Sequence, residues 1–374
     1  MRNIKEKPFE YLKRMGNGEK FEKEIVNNWY IARAFVLDKL KNVAFKPDSN
    51  AHLHVVVADD SPLMLAVVRQ VALSAHYINF KEKRDDEDCH NRTVITLVSQ
   101  NPDIRKELEK EEYLCNLPKY CKFIDKDSAP ENIDSYVDIE IHIVDHHPMD
   151  EGGENTFCFR KEDVDEWLPK QNADSIFSID TRMAIYAQRI YSLGAIIENL
   201  PAEDINCSKR YALALNIFQH EKLRKNLQPM IDEGSWKNLA TVKESISNIF
   251  CADCFLSRKL SIQLCNTEDV LEDEDSWEIH NEALSVSEHA RWVVEKLIMG
   301  YSPLNPLQRF KDESLFYDKK RKEQYRKSLK KQERYPAHIN LCSHADLRRI
   351  NPENLKYDSF LMLTIPKILK RVAE

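Results

Sequence analysis

Short apolar runs alternate with amphipathic segments over residues 51–147. The apolar runs are rich in β-branched residues and have the length of buried strands. Residues 62–75 carry apolar side chains at helical spacing, with Ser61 as a candidate N-cap, and a charged helix is predicted over 103–113. This order of strand, helix, strand, helix and strand predicts a parallel sheet with crossover helices. The predicted strands are 52–58, 93–98 and 137–144.

The flanking regions follow a helical pattern. An amphipathic helix in the first fifty residues is expected to dock on the body of the protein, and 281–299 predicts a strong amphipathic helix that stops at Gly300. The fold class is therefore α/β, with a sheet domain followed by a helical region and a small, mainly helical unit. The predicted units are an N-terminal helical arm (1–50), an α/β domain (51–172), a helical middle region (173–265), an acidic linker (266–279) and a final unit (280–374). Within the middle region, helices are predicted at 178–193, 208–223 and 241–260.

The composition and net charge argue against some classes of binding partner. The formal net charge is -7, and no apolar segment is long enough to span a bilayer. We therefore expect a cytoplasmic protein with no membrane partner, and nucleic acid is not an expected partner either. The nine cysteines show no disulfide-like spacing, which fits a reducing compartment. Cys251 and Cys254 form a lone C-x-x-C, and we expect them to be buried thiols.

Glycine is strongly depleted, with seven residues in 374. Phosphate-binding loops need glycine because the backbone must approach the ligand closely. Neither G-x-G-x-x-G nor G-x-x-x-x-G-K-[ST] is present. The sequence therefore argues against a P-loop nucleotidase and against a standard dinucleotide-binding dehydrogenase.

The final unit carries an ordered set of motifs. Glu288-His289-Ala290-Arg291-Trp292 lies in its first helix, which ends at Gly300-Tyr301, and His344-Ala345-Asp346 and Tyr357-Asp358 follow downstream. Residues 280–374 thereby resemble the ryanodine-receptor-type repeat domain. The resemblance implies a small helical module that binds a nucleotide-derived ligand, and a place in bacterial signalling such as antiviral defence.

The same resemblance suggests which residues hold the ligand. Arginine can grip a phosphate through two hydrogen bonds, and an aromatic ring can stack on a base. The alternative is that Trp292 belongs to the core and that Glu288 and Arg291 form a structural ion pair. In the ligand reading, Arg291→Ala or Trp292→Ala is expected to weaken binding. The candidate ligand-binding residues are Glu288, Arg291, Trp292, Tyr301, His344 and Asp346.

The segment after the first predicted strand, Ala58-Asp59-Asp60-Ser61, occupies the position of a phosphate turn. The order of elements around it resembles the Rossmann-like TrkA-type domain. This sequence departs from that pattern, because the glycines are missing and Asp59 and Asp60 would repel a pyrophosphate. The domain has either lost its dinucleotide or binds another ligand at the strand ends.

Asp145-His146-His147 ends the third predicted strand and resembles the signature of the DHH phosphoesterases, which hold metals at strand ends. The alternative reading of the chain is thus a metal-dependent phosphodiesterase with Asp59, Asp60, Asp145 and His146 as ligands. A three-residue motif also arises by chance, and the rest of that family's pattern is absent. We therefore favour binding over catalysis and expect no resident cofactor or metal.

A basic stretch follows Gly300, with Tyr317 and Tyr325 interleaved. Such a face is usually solvated, and the alternative is that it contacts phosphates. A third reading of the whole chain is a scaffold subunit without a small ligand, and a protein partner or a second copy of the chain remains open. The basic residues are Lys319, Lys320, Arg321, Lys322, Arg326, Lys327, Lys330 and Lys331.

Overall fold

The structure is a computed structural model of the 374-residue chain. The predicted helix at 208–223 falls outside the residues that it describes, as do Lys330 and Lys331. The described residues are 23–82, 90–125, 136–146, 153–172, 176, 182–191, 242–266, 271, 274–329 and 337–373.

Five parallel strands form the central sheet, in the order β3-β4-β2-β1-β5. In register, Val55 of the central strand β1 lies beside Ile95 of β2 on one side and Phe157 of β5 on the other. The predicted parallel sheet is confirmed. The strands are β1 (His54–Val57), β2 (Thr93–Val98), β3 (Lys122–Asp125), β4 (Ile139–Val144) and β5 (Thr156–Phe159).

Helices α1 (Lys23–Leu40) and α2 (Pro62–Ser74) pack along each other and share one hydrophobic core with the sheet. The backbone of Ser61 is extended, as an N-cap requires, but its side chain makes no capping hydrogen bond. The Ser61 amide instead donates to Asp59 Oδ1 at 2.5 Å. Two short helices, α3 (Ile104–Leu108) and α4 (Lys161–Trp167), complete this Rossmann-like part.

The rest of the chain is mainly helical. A pair of two-residue strands, β6 (Ser302–Pro303) and β7 (Ala337–His338), is parallel. The helices are α5 (Arg182–Tyr191), α6 (Val242–Asp253), α7 (Phe255–Cys265), α8 (Glu274–Ile279), α9 (Asn281–Ile298), α10 (Pro306–Ser314), α11 (Lys319–Leu329), α12 (His344–Ile350) and α13 (Pro352–Ala373). No helix in the described part of the chain is both long and apolar enough to cross a bilayer.

Three sizeable hydrophobic cores hold these elements, and α9 reaches two of them. Val293 and Leu297 of α9 belong to the core of the sheet domain, whereas Leu284 belongs to a second core with α5 to α8 and α13. A third, smaller core around Leu347 and Ile350 lies under α11 and β7. The final unit therefore packs into the body of the molecule.

Several predicted elements differ from the structure. The helix predicted at 103–113 is regular only over α3, and the segment predicted at 241–260 is broken at Cys254 into α6 and α7. The predicted acidic linker contains helix α8, whose Trp277 is 0% exposed. A buried tryptophan fixes this segment against the second core, despite its charged sequence.

Candidate ligand cavity

A cavity of about 740 Å³ opens beside α9 in the C-terminal part of the molecule. Its walls come from α9, α11, β7 and the residues that follow it, and the start of α13. This volume lies in the range typical of small-molecule sites. Lysines and one arginine of α11 form one wall: Lys319, Lys320, Lys322, Arg326 and Lys327.

The cations of α11 fall into two groups. Arg326 donates from Nε and Nη2 to the buried carboxylate of Asp312 at 2.9 and 3.0 Å, and Lys322 lies 3.5 Å from the same carboxylate. By contrast, Lys319 and Lys320, at the start of α11, form no ion pair with another described residue. The inner cations are held in place, while the outer two are available for an anion.

The opposite wall is aromatic and is centred on Trp292. Its ring stacks on His289 with centroids 6.0 Å apart and meets the edge of His338 at 5.1 Å. The ammonium of Lys296 lies 5.5 Å from the centre of the indole ring. Trp292 is partly buried and lines the cavity, so it offers a flat apolar surface opposite a cationic one.

His289 and Asp358 form a buried pair at the cavity. Imidazole Nδ1 lies 3.4 Å from Asp358 Oδ2, and Nε2 donates to the Cys342 carbonyl at 2.9 Å. Burial alone would lower the pKa of His289, but these two acceptors outweigh it and raise that pKa to about 10. Burial raises the pKa of Asp358, and the hydrogen bond from His289 opposes the shift. At neutral pH His289 is therefore an imidazolium, with Asp358 and the Cys342 carbonyl as its acceptors.

Asparagines complete the lining. The Asn351 side chain donates to Asn340 Oδ1 at 3.0 Å, and both residues line the cavity together with Asn354. Asn351 Oδ1 is buried without a hydrogen-bond partner in the described part of the chain. The cavity therefore combines cations, an aromatic wall and hydrogen-bond acceptors.

Two predicted ligand residues, Glu288 and Arg291, do not line this cavity. They are 0% and 1% exposed, and the Arg291 guanidinium donates to both Glu288 oxygens at 2.8 and 3.0 Å and to Glu295 at 2.7 Å. Arg258 of α7 lies 2.8 Å from Glu288 on the far side. These contacts correspond to the structural ion pair that the sequence left open as the alternative.

The electrostatics of this network are those of permanently charged groups. Burial alone would raise the pKa of Glu288, but the guanidiniums of Arg291 and Arg258 outweigh it and lower that pKa to about 2. The opposite charges pair with one another, although the Arg258 guanidinium, 2.8 Å from Glu288, has no aligned hydrogen-bond acceptor among the described residues. The charges of Glu288 and Arg291 are therefore already used within the protein and are not available to bind a ligand.

Of the other predicted ligand residues, Trp292 alone forms part of the cavity lining. Tyr301 contacts the edge of His338 with ring centroids 6.0 Å apart, and Asp346 accepts a hydrogen bond from Arg309 at 3.0 Å. His344 is buried 5.9 Å from the ring of His289, and burial together with that charge lowers the pKa of His344 to about 3. Tyr301 and His344 thus lie behind lining residues.

The carboxyl edge of the sheet carries the residues of the metal-site alternative. Asp59 and Asp60 follow β1 and Asp145 and His146 follow β4, but β2 lies between these strands. Two strand spacings are about 10 Å, and Asp60 already accepts a hydrogen bond from Ser99, which directly follows β2. Among the described residues no group of three or more His, Cys, Asp or Glu side chains could hold a metal ion.

Several lining residues were not predicted from the sequence: His289, His338, Asn340, Asn351 and Asp358. Two of them, His289 and Asp358, lie within the motifs that carried the family resemblance, and that was the available signal. Cys251 and Cys254 are buried free thiols, as expected.

Comparison with known proteins gives no family assignment for this chain. No protein-family model matches the chain, and neither a curated protein nor a solved structure matches it significantly.

Proposed function

We propose that the protein is a sensor that binds a nucleotide-derived anion in the cavity between α9 and α11. The observation that carries the proposal is the meeting of five basic side chains of α11 with the ring of Trp292 around one cavity of about 740 Å³. Phosphates pair with lysine and arginine, and bases stack on aromatic rings. The charged lining is strongly positive, because the five cations and imidazolium His289 face only Glu323 and Asp358.

The resemblance of residues 280–374 to ryanodine-receptor-type repeats supports the same assignment. It implies a ligand-binding module and a place in bacterial signalling, including antiviral defence, and both belong to the proposal. The site differs from the one expected, since Trp292 stays in it while Glu288 and Arg291 are replaced by the cations of α11.

The test is equilibrium binding of ATP, GTP, CTP and UTP to the full chain by isothermal titration calorimetry. Lys319→Gln/Lys320→Gln is expected to weaken binding about tenfold or more, because two charge-assisted contacts to phosphate are lost. Trp292→Ala is expected to weaken it by a similar factor, since stacking on a base contributes about 1–3 kcal/mol.

Lys106→Gln/Lys110→Gln is the matched control, because it removes the same number of charges from ion pairs in and just after α3, away from the cavity. It should leave the dissociation constant unchanged. If none of the four nucleotides binds, the proposed function is wrong, and a scaffold subunit without a small ligand becomes the favoured interpretation. If binding occurs but neither cavity variant weakens it, the site lies elsewhere.

A further inference from the structure

Two hydrogen-bond acceptors in the cavity lining indicate which chemical group the ligand carries in addition to phosphate. The side chain of Asp358 is 10% exposed, and His289 is its single hydrogen-bonding partner among the described residues. That contact uses Oδ2, so Oδ1 remains free to accept. Asn351 adds a second buried acceptor, Oδ1, which lacks a partner in the part of the chain that the structure describes.

Both acceptors belong to residues of the cavity lining. An acceptor that is buried without a donor, such as Asn351 Oδ1, is unfavourable, and a carboxylate oxygen that faces the cavity gains a charge-assisted hydrogen bond from a donor. The free energy of binding therefore gains most from a ligand that brings an N–H donor to this position. In the proposed binding mode the phosphates meet the cations of α11 and the base stacks on Trp292, whose ring contacts His289. The base is therefore the part of the ligand that is placed to bring the donor.

We propose, on the basis of the function proposed above, that the cavity selects nucleotides whose base carries an exocyclic amino group, which donates to Asp358 Oδ1. Adenine, guanine and cytosine have such a group. Hypoxanthine and uracil present a carbonyl oxygen or a hydrogen at the corresponding positions. A carbonyl oxygen would face the carboxylate acceptor to acceptor, and the carboxylate would stay unpaired.

The contact with His289 fixes which oxygen of Asp358 faces the ligand. Imidazolium Nδ1–H has Asp358 Oδ2 as its acceptor, while Nε2–H is held by the Cys342 carbonyl. The imidazole ring therefore cannot turn to serve both carboxylate oxygens. In Asp358→Ala the acceptor is absent whatever the protonation of His289. In Asp358→Asn, while His289 keeps its proton on Nδ1, the amide oxygen stays on that N–H, which turns the amide NH2 toward the cavity. This variant converts an acceptor into a donor with almost no change in volume.

The experiment compares nucleotides that differ in the amino group and keep the same triphosphate: ATP with ITP, GTP with ITP, and CTP with UTP. With the wild-type chain, at least one amino-bearing nucleotide is expected to bind tenfold or more tightly than its counterpart. With Asp358→Asn, that ratio is expected to fall to one or to invert in favour of the oxo base. ITP and UTP should bind the variant at least as well as they bind the wild type, which shows that the cavity is intact.

Asp165→Asn is the matched control, because it makes the same change of carboxylate to amide in an exposed pair with Lys161, away from the cavity lining. It should leave the ratio between paired nucleotides unchanged. Equal binding within all three pairs would overturn this inference and leave the proposed function standing. A preference that survives both Asp358→Asn and Asp358→Ala would show that Asp358 is not the acceptor, and no binding of any nucleotide would overturn both proposals.

Discussion

Arg291 and Trp292 are neighbours in the sequence and lie on different surfaces of α9. Successive residues of a helix are rotated by about 100°, so Glu288, Arg291 and Glu295 form one stripe. His289, Trp292 and Lys296 form the next stripe. The first stripe faces α6 and α7, where Ser247 and Arg258 contact it. His289 and Trp292 of the second stripe line the cavity, whereas the ammonium of Lys296 donates to Ser247 and Glu295 beside the first stripe. This division separates structural residues from candidate binding residues.

Removing Arg291 should therefore lower stability and leave ligand affinity intact. In Arg291→Met, the buried carboxylates lose the guanidinium that bridges Glu288 and Glu295. Breaking a buried ion pair typically costs about 3–5 kcal/mol, because a charge remains without its partner. The measurement is the free energy of unfolding by urea denaturation, followed by nucleotide titration under conditions where the variant is folded.

Arg348→Met is the control for this substitution, since Arg348 pairs with Glu282 while both side chains are more than half exposed. Its cost should stay below about 1 kcal/mol. Equal stability losses for the two variants would contradict the structural role of Arg291. Loss of nucleotide affinity without loss of stability would show instead that Arg291 contacts the ligand.

The candidate site could be predicted from the sequence only in part. Spacings of three and four place Glu288, Arg291 and Trp292 on one broad face of a helix, and periodicity alone does not say where that face divides. Trp292 is a ligand-binding candidate from the sequence, and in the structure it lines the cavity. Asn340 lies in a turn and Asn351 lies between α12 and α13, and only tertiary packing brings them to α9.

At the level of elements, the sequence predicts buried strands better than edge strands. β1, β2 and β4 form the middle of the sheet and were predicted within two residues at each end. β3 and β5 were not predicted, and they are the two edges of the sheet. They are four residues long and only partly buried, so their apolar signal is weak.

The end of α9 shows a case where one residue type does specify an element boundary. Gly300 has φ 84°, the Tyr301 amide donates to the Lys296 carbonyl at 2.9 Å, and the Gly300 amide donates to the Leu297 carbonyl at 3.0 Å. This is the left-handed glycine termination of a helix. The Asn116 side chain from the sheet domain donates to the Gly300 carbonyl at 2.9 Å, so the turn also joins two parts of the molecule.

Gly300→Ala should accordingly destabilise the protein by about 1–2 kcal/mol, since a side chain makes the left-handed conformation unfavourable. Gly153→Ala is the matched control, because a methyl group there meets only Thr156 Oγ1 at 3.5 Å, an ordinary contact. Its effect should stay within about 0.5 kcal/mol. Urea denaturation of both variants measures the difference, and equal effects would contradict the strain at Gly300.

For the whole molecule, the main question is whether the C-terminal unit is a separate folding unit, as its motifs led us to expect. A chain of this length commonly divides into several cores. Here α9 contributes Val293 and Leu297 to the core of the sheet domain and Leu284 to the core built on α13. Unfolding of either core removes support from the same helix, and the cores should therefore unfold together.

We expect a single cooperative transition in scanning calorimetry of the full chain, with equal calorimetric and van't Hoff enthalpies. Leu297→Ala, in the first core, and Leu361→Ala, in the second, should each cost about 2–5 kcal/mol and shift that one transition to lower temperature. Leu256→Ala, at a half-exposed position, should have little effect. Two transitions, with each core variant shifting only one of them, would instead show that the C-terminal part folds independently. A ligand bound there would then influence the sheet domain only through the contacts of α9, because the two parts would not unfold together.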